Sequence, residues 1–359
     1  MNILWLIKRW TMGHDVIGER FGRYYHLPVE LARRGHTVTV LTLDYRQAGQ
    51  KRIEHSGVTW LSSGKALSGL PGLLQQAAQI IRTTQPDWIL GGTDMHFCIL
   101  ANWLGSRYST AVAQDIYDDF ETFASGRLCR LGRWYYRSLN SSARVFSFHS
   151  KLSTYLTDKA PRARHAVVPN GIDPQRFHPR DRESCRTRLN LPAGAPVIGY
   201  FGALHPRGMQ PLWQAYAEIK RAIPDIHMII AGHKPPRITI TDPSVRYVGV
   251  LPQEEVPLYL NACSVVCIVC YKQLRDLGFS LPMKSIEYMA CQVPFVAPDI
   301  GGLPDEEGVT PAMLYTPNSA ADLREKLLLQ LRNTQPRFPQ QTSWSQAAGI
   351  IETELSDTT

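Results

Sequence analysis

The sequence has no apolar run long enough to cross a lipid bilayer as a helix, for which about 20 residues are needed. Its apolar start, Met1 to Ile7, is too short for a secretory signal peptide and meets the charges of Lys8 and Arg9 at once. No small-residue cleavage site follows. These absences predict a cytoplasmic protein.

Motifs for nucleic-acid binding are also missing. The chain has no zinc-finger spacing, no aromatic strand of the RNA-recognition type and no basic helix-turn-helix pattern. We therefore expect no nucleic-acid partner, although the net charge of +8 suits an anionic one. The anions that fit are a nucleotide diphosphate, a lipid phosphate and a membrane surface.

Cysteine is sparse and odd in number. Seven residues are scattered through 359, which favours reduced thiols over a disulfide framework. Cys263, Cys267 and Cys270 have the C-x3-C-x2-C spacing of radical iron–sulfur enzymes, but they lie in a β-branched apolar run. Because side chains alternate between the two faces of a strand, we interpret all three as small hydrophobic residues of a buried strand.

The length predicts about two domains. Strand and helix patterns alternate through the first half, stop in a polar stretch and restart at Val197. Such alternation predicts mostly parallel sheets with helices on both faces, and ligands bind beyond the carboxyl ends of such strands. The predicted parts are a first domain at 1–172, a linker at 173–190, a second domain at 191–335 and a C-terminal helix within 336–359. That this helix packs back on the first domain is a hypothesis.

The stretch from Leu277 to Ile300 carries the strongest functional signal. In it a loop leads into a helical segment where Lys284 and Glu287, three residues apart, share one face of the first turns. A helix N-terminus with a lysine favours a phosphate, and the glutamate is suited to accept hydrogen bonds from sugar hydroxyls. The pair therefore indicates a nucleotide-sugar site, although a surface ion pair explains these two residues equally well.

Six segments of the chain resemble a known family. In order they are GERFGRYYHLPVELARRGHTVTVLT (Gly18–Thr42), VPNGIDPQRFHP (Val168–Pro179), IGYFGALHPRGM (Ile198–Met209), MIIAG (Met228–Gly232), VRYVGVLPQEEVPLYLNACSVVCIV (Val245–Val269) and SLPMKSIEYMACQVPFVA (Ser280–Ala297). Together they resemble the retaining glycosyltransferases of family 4, also called glycosyl transferases group 1.

The resemblance implies an α/β protein of the GT-B arrangement, in which two Rossmann-like domains face each other across a cleft. It implies a glycosyltransferase of the hexosyltransferase type that moves a sugar, with retention, from a nucleotide-diphosphate donor to a hydroxyl acceptor. The acceptor would be a glycan, a lipid-linked molecule or a small molecule. A UDP- or GDP-linked sugar would be the donor substrate, and no cofactor is implied.

The family comparison also implies which residues bind the donor. Arg207 matches a cation expected to hold the donor diphosphate, which a guanidinium does with two hydrogen bonds. Glu287 matches the second acid of the family's paired-glutamate motif, expected on the ribose hydroxyls. The predicted donor-binding set is Gly13, Asn170, Gly171, Gly202, Arg207, Gly208, Gly232, Leu251, Ser280, Lys284 and Glu287. Glycine is also the default residue of ordinary turns, and Arg207 alone is equally well explained as a solvated loop charge.

Two positions depart from the family pattern. Phe279 stands where the first glutamate of the pair is expected, and Ala203 where many members carry arginine. The motif S-x-P-x-K-x-x-E-Y-M-A resembles a branch that lacks this glutamate, and there we hypothesise that Lys284 supplies the missing charge and Asp276 approaches the sugar. The departures leave open a non-catalytic scaffold or sugar-binding protein of the same fold. Among enzymes, a nucleotide-sugar epimerase of the same architecture is a further alternative.

The first domain is expected to receive the acceptor. His14 is a candidate catalytic residue in the loop after the first strand, and Glu19 and Arg20 of the same loop are acceptor-side candidates. Asp115 is the candidate for acceptor activation, which completes a predicted catalytic set of Asp115, His14, Arg207 and Lys284. The acidic run that begins at Asp115 also suggests Mg²⁺ or Mn²⁺. The D-x-D spacing of metal-dependent transferases is absent, so we predict no metal.

The segment GRLCRLGRWYYRSL (Gly126–Leu139) predicts a helix with Arg127, Arg130, Arg133 and Arg137 beside Trp134. This pattern suits a helix that lies on an anionic membrane, where lipid-linked acceptors reside. A packed surface helix with a solvated arginine face is the more common explanation. A peripheral contact with the inner face of the membrane is therefore a hypothesis.

Overall fold

The computed structural model describes residues 1–11, 13–47, 49–64, 66–123, 131–269, 278–279, 281–333 and 336–357. The chain forms two compact units. Unit 1 consists of Met1–Gly171 together with Thr342–Thr359, and unit 2 of Ile172–Gln341. The segment 173–190, predicted as a linker, is thus part of unit 2, and the C-terminal helix is grouped with unit 1.

The strands of both units follow the chain in a regular alternation with helices. In unit 1 they are β1 Asn2–Lys8, β2 Trp10–Thr11, β3 His14–Asp15, β4 Thr37–Asp44, β5 Gln50–His55, β6 Val58–Gly64, β7 Trp88–Gly92, β8 Ala111–Ile116, β9 Arg144–Ser147 and β10 Arg164–Val167. In unit 2 they are β11 Val197–Phe201, β12 His227–Ala231, β13 Val245–Tyr247, β14 Val265–Cys267, β15 Phe295–Pro298 and β16 Leu314–Tyr315.

The helices cover the sheets. They are α1 Arg23–Arg33, α2 Ala66–Thr84, α3 Met95–Tyr108, α4 Gly132–Asn140, α5 Ser150–Lys159, α6 Arg182–Arg188, α7 Pro206–Ala222, α8 Val256–Ala262, α9 Met283–Ala290, α10 Ala320–Leu331 and α11 Trp344–Ser356. Short 3-10 turns lie at Phe120–Thr122, Leu303–Asp305 and Pro311–Met313. Within the described ranges, no helix is both long and apolar enough to cross a membrane.

The main sheet of unit 1 has eight strands in the order β10-β9-β8-β7-β1-β4-β6-β5. All neighbours are parallel except β5, which pairs antiparallel with β6 at the edge. The chain builds outward from β1 through β4 to β6, and then crosses back to begin the other half at β7. The β1–β7 border is therefore the topological switch point, where sheets of this kind bind ligands beyond the carboxyl ends of their strands.

Unit 2 repeats this plan with six parallel strands in the order β13-β12-β11-β14-β15-β16. Its switch point lies between β11 and β14. Strand β11 reads Val-Ile-Gly-Tyr-Phe and is buried throughout, as expected for a central parallel strand covered on both faces. Ile198, Met228 and Val265 of three neighbouring strands form the core with Leu212 of α7 and Leu323 of α10.

The C-terminal helix α11 is bound to the rest of unit 1 by side chains of opposite charge. Glu352 accepts from Arg34 Nη1 at 2.8 Å and lies 3.0 Å from His36 Nε2. The Trp344 ring stacks on His26 with 4.9 Å between ring centroids. A capping box at Ser343 starts the helix by satisfying its free backbone N–H groups.

Several elements differ from the sequence prediction in extent. Strand β5 was not predicted, since its six residues QKRIEH are almost all exposed and carry no apolar alternation. The helix predicted from residue 126 is described only as α4, and Arg127 and Arg130 lie outside the described residues. Cys263 and Cys267 are buried free thiols, as the hydrophobic interpretation requires. Cys267 ends β14, but Cys263 directly follows α8 and lies outside the strand, which begins only at Val265. Cys270 lies outside the described residues.

Candidate active site

The carboxyl edge of the unit 2 sheet begins with two glycines in close contact. Gly202 follows β11, and its N–H donates to the Ala231 carbonyl of β12 at 2.8 Å. Gly232, which follows β12, has φ +133°, and a Cβ there would collide with the Gly202 carbonyl. Only glycine fits both the space and the backbone conformation at position 232. The two strand ends can thus approach each other closely.

Lys284 reaches this edge from the first turn of α9. Its Nζ lies 5.8 Å from the centroid of the Tyr200 ring, in cation–π range. A Cβ at Gly202 would overlap Lys284 Nζ. The Tyr200 hydroxyl in turn donates to the Ala203 carbonyl at 2.8 Å. The ammonium therefore lies at the β11–β14 switch point, in space that the missing side chain of Gly202 leaves open.

Burial perturbs both charged groups of α9. It lowers the pKa of the Lys284 amine, and the nearby Glu287 carboxylate opposes this shift. Burial also raises the pKa of Glu287 to about 7, against the opposing charges of Lys284 and Arg176. Both residues remain partly accessible to solvent. A desolvated cation and carboxylate at the ends of parallel strands form a candidate ligand site, which favours the functional interpretation of this pair over a surface ion pair.

Arg207 and Gly208 occupy the first turn of α7. Pro206 starts this helix at its first position, where a missing N–H costs nothing. The Arg207 side chain is exposed and Gly208 is buried. Unpaired backbone N–H groups at a helix start favour an anion, and an exposed guanidinium there adds a further positive charge.

The next strand end offers a surface of a different kind. The Gly232 N–H donates to the Gly249 carbonyl at 2.7 Å, and the Tyr247 hydroxyl donates to the Gly232 carbonyl at 2.9 Å. These bonds fix the segment that leads to Val250, which is exposed, and to Leu251, which is half-buried. Apolar side chains beside ordered backbone groups suit the flat face and polar edge of a nucleobase.

The switch point of unit 1 holds a charged group that the sequence did not indicate. Lys8 ends β1, and its Nζ lies 2.6 Å from Asp94 Oδ2. Asp94 caps α3, and its other oxygen lies 2.6 Å from His96 Nδ1. Burial opposes ionisation of Asp94, but the hydrogen bond from His96 and the Lys8 charge outweigh it, so the pKa of Asp94 falls well below its usual value.

His96 is the exposed member of this group. Its side chain is 52% exposed, while Asp94 fixes one ring nitrogen and so defines the orientation of the ring. The signal that could have revealed the group is a lysine at the end of β1 and the sequence Thr-Asp-Met-His directly after β7. Both positions lie at carboxyl ends of neighbouring parallel strands.

The loop after β1 is ordered by contacts among its own side chains and with Arg9. Gly13 has φ +89°, and His14 Nδ1 lies 2.6 Å from Glu19 Oε2 while the ring stacks on Phe21. Asp15 anchors the loop through Arg9, whose Nη2 lies 2.8 Å away. The predicted residues of this loop, Gly13, His14, Glu19 and Arg20, are all exposed. The loop therefore presents all four to solvent.

Asp115 lies in a setting that does not suit its predicted role. Its carboxylate is fully buried and takes two hydrogen bonds from Arg23, at 2.6 Å from Nη2 and 3.0 Å from Nε. A base must reach the hydroxyl it deprotonates, and both Asp115 oxygens already accept from a guanidinium. This geometry favours a structural role, and acceptor activation by Asp115 stays a prediction.

Asn170 and Gly171 are packed within unit 1. Asn170 is buried, and its Oδ1 accepts from Arg23 Nη1 at 2.8 Å. A Cβ at Gly171 would collide with the backbone of Trp344. These contacts explain both residues by packing, and their predicted donor contacts stay predictions.

Two predicted residues, Ser280 and Asp276, lie outside the described residues. Phe279, at the position of the expected first glutamate, is half-buried. In the part of the chain that the structure describes, no group of three His, Cys, Asp or Glu side chains is arranged to hold a metal ion.

Comparison with family models matches most of the chain. The model described as Glycosyltransferase Family 4 matches residues 24–176, and that described as Glycosyl transferases group 1 matches residues 195–333. Each of the two matches falls largely in one structural unit. The second includes both strands of the unit 2 switch point, whereas the first begins after β1 and includes only β7 of the unit 1 switch point.

Three curated relatives illustrate the sequence similarity. The 2-deoxystreptamine N-acetyl-D-glucosaminyltransferase of Streptomyces fradiae is 26% identical over 88% of this chain and 83% of its own length. The GDP-mannose-dependent monoacylated alpha-(1-6)-phosphatidylinositol monomannoside mannosyltransferase of Corynebacterium glutamicum is 31% identical over 46% of each chain. A D-inositol 3-phosphate glycosyltransferase of Segniliparus rotundus is matched over only 32% of its length. Apart from the Streptomyces protein, the chain thus spans about a third to a half of these relatives.

Solved structures share the fold over nearly the full length. Sucrose-phosphate synthase from Thermosynechococcus elongatus superposes with a TM-score of 0.71 at 18% identity, covering 99% of this chain and 94% of that one. Anabaena HepE in complex with UDP gives a TM-score of 0.69 at 17% identity, covering 99% and 95%. At this identity the likeness concerns the fold, which is the α/β GT-B fold with two parallel sheets.

Proposed function

The chain belongs to the group 1 glycosyltransferases of family 4, and on that premise we propose that it transfers a sugar from a nucleotide-sugar to a hydroxyl acceptor with retention. The observation that carries the proposal is the position of Lys284. Its ammonium lies against Gly202 at the unit 2 switch point, where sheets of this type bind nucleotides. A desolvated cation there suits a diphosphate.

The donor site we propose is built from unit 2 alone. Lys284 and Arg207 hold the diphosphate, with the first turn of α7 as a further source of positive potential. Glu287 accepts hydrogen bonds from the ribose hydroxyls, and the segment at Leu251 contacts the base. Gly202 and Gly232 have no side chains, so the donor can approach the backbone there. A UDP- or GDP-linked sugar is the proposed donor, with no further cofactor.

Sugar transfer at such a site needs little covalent chemistry from the protein. The bond between the anomeric carbon and the diphosphate oxygen breaks, and a bond to the acceptor oxygen forms on the same face of the sugar. The leaving diphosphate takes the acceptor's proton, so no side chain is required as the base. Catalysis then rests on positioning and on stabilising the charge of the departing diphosphate, which is the role we give to Lys284 and Arg207.

The acceptor, in this proposal, binds at the carboxyl edge of the unit 1 sheet. His96 offers a ring nitrogen to the acceptor hydroxyl, since Asp94 already engages the other one. Lys8 holds Asp94 in turn, so the orientation of the imidazole is fixed before the acceptor binds. His14 and Glu19 form a second oriented pair in the loop after β1. The site is thus suited to a polyol or sugar acceptor with several hydroxyl groups.

Thermal unfolding with nucleotides tests the donor assignment directly. A ligand that binds only the folded state raises its stability, by about 2.7 kcal/mol at a hundred times its Kd. UDP, GDP and ADP are compared first, followed by their glucose, mannose and N-acetylglucosamine derivatives. Lys284→Ala should remove the shift. Lys220→Ala is the matched control and should leave the shift intact, because Lys220 is paired with Asp242 just before β13, at the amino edge of the sheet rather than its carboxyl edge.

Turnover distinguishes the transferase from the alternatives. Phe279 in place of an acid leaves room for a scaffold or sugar-binding protein, which would bind a nucleotide-sugar without releasing the nucleotide. An epimerase would change the sugar without needing an acceptor. Candidate acceptors come from the relatives: 2-deoxystreptamine, D-inositol 3-phosphate and a phosphatidylinositol mannoside. Release of nucleotide together with a retained anomeric configuration, measured by NMR, supports transfer. A cytoplasmic location is part of this proposal.

A further inference from the structure

Helices α3 and α4 lie side by side on unit 1 and expose an unusual combination of side chains. The Asn102 side chain of α3 donates to the Ser138 carbonyl of α4 at 3.3 Å, which joins the two helices. Each helix has one buried face: Phe97, Ala101 and Leu104 in α3, and Tyr135 and Leu139 in α4. Their opposite faces point to solvent.

Each outward face carries an exposed tryptophan. Trp103 of α3 is 54% exposed and Trp134 of α4 is 59% exposed. Trp5, Trp60, Trp88 and Trp344 are buried, and Trp10 and Trp213 are half-buried. Tryptophan is enriched where membranes meet water, because one part of the ring is apolar and its N–H remains hydrated. Two exposed tryptophans on joined helices mark a candidate interaction surface.

Positive charge surrounds these two rings. Arg107 lies one turn after Trp103, and Arg133 and Arg137 flank Trp134; all three are exposed. Neither helix contains an aspartate or a glutamate. The Glu121 carboxylate contacts the side of α4, where it accepts from the half-buried Tyr136 hydroxyl at 2.6 Å. The outward face of the helix pair is therefore cationic as well as aromatic.

We propose that the outward faces of α3 and α4 dock this protein on an anionic lipid bilayer. Trp103 and Trp134 enter the headgroup region, while Arg107, Arg133 and Arg137 pair with lipid phosphates. Arginine suits this task because its planar guanidinium binds phosphate with two hydrogen bonds. An anionic bilayer matches both features of the surface, since it presents continuous negative charge above an apolar layer.

The inference goes beyond sugar transfer and does not depend on it. Membrane docking is measured without donor or acceptor, and nucleotide binding is measured without lipid. If the protein binds UDP or GDP but no bilayer, this inference fails while the proposed function stands. If it binds bilayers but no nucleotide, the proposed function fails alone.

Co-sedimentation with vesicles tests the inference. We expect the protein to sediment with phosphatidylcholine vesicles that contain about 30 mol % phosphatidylglycerol, at least tenfold more than with phosphatidylcholine alone. Binding should weaken as salt rises, because mobile ions screen the charges. Arg133→Gln combined with Arg137→Gln should reduce binding about tenfold.

A variant pair of equal charge provides the control. Arg33→Gln with Arg52→Gln removes the same two charges from unit 1, at side chains that are 66% and 67% exposed and lie on other elements. This control should bind anionic vesicles as the parent does. Equal losses in both pairs would mean that net charge alone drives binding, and they would overturn the assignment of the α3–α4 surface.

Tryptophan fluorescence supplies the second readout. Vesicle binding should shift the emission to shorter wavelength, and lipids brominated near the headgroup should quench it. Trp103→Phe with Trp134→Phe should abolish both effects while nucleotide-induced thermal shifts remain. No binding to anionic vesicles, as expected of a surface that docks on another protein, would overturn the proposal. Binding that both double variants leave unchanged would do so as well.

Discussion

Gly202 lies so close to Lys284 that a single methyl group at position 202 would overlap the lysine ammonium. The two residues are separated by more than eighty positions in the chain, yet both belong to the β11–β14 switch point. The absence of a side chain at one position thus determines where the charge of the other can lie. The proposed donor site can therefore be tested by a substitution at Gly202 that leaves the lysine itself in place.

Gly202→Ala should displace Lys284 without removing it. We expect kcat/KM for the nucleotide-sugar to fall at least tenfold, about 1.4 kcal/mol of transition-state stabilisation. A double-mutant cycle supplies the control: in a Lys284→Ala background the alanine at 202 should cost nothing further. Additive losses in the steady-state kinetics of the four variants would show that the two positions act separately.

Glu287 should make the stability of unit 2 depend on pH. Burial raises its pKa from the ordinary 4.5 to about 7, so the folded state holds the proton more tightly than the unfolded state. The resulting contribution of Glu287 to the free energy of unfolding is fully present below about pH 4.5 and is lost as pH rises through about 7. Melting temperatures of the parent and Glu287→Gln from pH 5 to pH 8 measure it, and the parent should lose stability relative to the variant.

An exposed carboxylate of the same unit serves as the control for this titration. Glu254 is largely solvent-exposed, so Glu254→Gln should follow the parent over the whole range. If the melting temperature of Glu287→Gln also changes with pH as that of the parent does, burial does not raise the pKa of the Glu287 carboxylate and the prediction is wrong.

Asp115 should prove structural. Asp115→Ala leaves the Arg23 guanidinium buried without its partner, which we expect to cost about 3–5 kcal/mol of stability. Asp115→Asn keeps one accepting oxygen and should melt closer to the parent, with activity per folded molecule nearly unchanged. Thermal melts and turnover, normalised to folded protein, measure both. A stable Asp115→Asn variant that is inactive would restore the catalytic assignment.

His96→Gln should impair the acceptor half of the reaction. Transfer to the acceptor should fall at least tenfold, about 1.4 kcal/mol, while the thermal shift with UDP or GDP stays at the parent value. The control is His36→Gln, because His36 also pairs with a carboxylate, Glu352, at 3.0 Å. His36 precedes β4 and so lies at the opposite edge of the same sheet. Equal effects of the two changes on acceptor KM would remove the special role of His96.

Much of the fold could be predicted because it is encoded locally. Buried parallel strands are short apolar runs, as in β11, and the helices between them have apolar residues at helical spacing. Strand β5 escaped prediction because an exposed edge strand needs neither pattern. On the donor side, Lys284 and Glu287 were recognised because three residues along a helix place two side chains on one face.

The proposed acceptor side was harder to predict for a physical reason. Lys8 and Asp94 are 86 positions apart and meet only because β1 and β7 become neighbours in the sheet. Arg23 and Asp115 are 92 positions apart, and the same sheet turns an apparent surface acid into a buried ion pair. No local pattern signals either event, because burial and partner are properties of the packed state.

The sequence by itself determined most of the succession of strands and helices, the parallel sheets and the family to which the chain belongs, since each follows from side-chain periodicity or motif order. Only the tertiary structure decided which charged side chains are functional candidates. Strand order brings Lys8 to Asp94 and buries Asp115 against Arg23, and close packing at Gly202 positions Lys284. Desolvation then sets the pKa of Glu287 near 7, a value that depends on burial and neighbouring charge rather than on residue type.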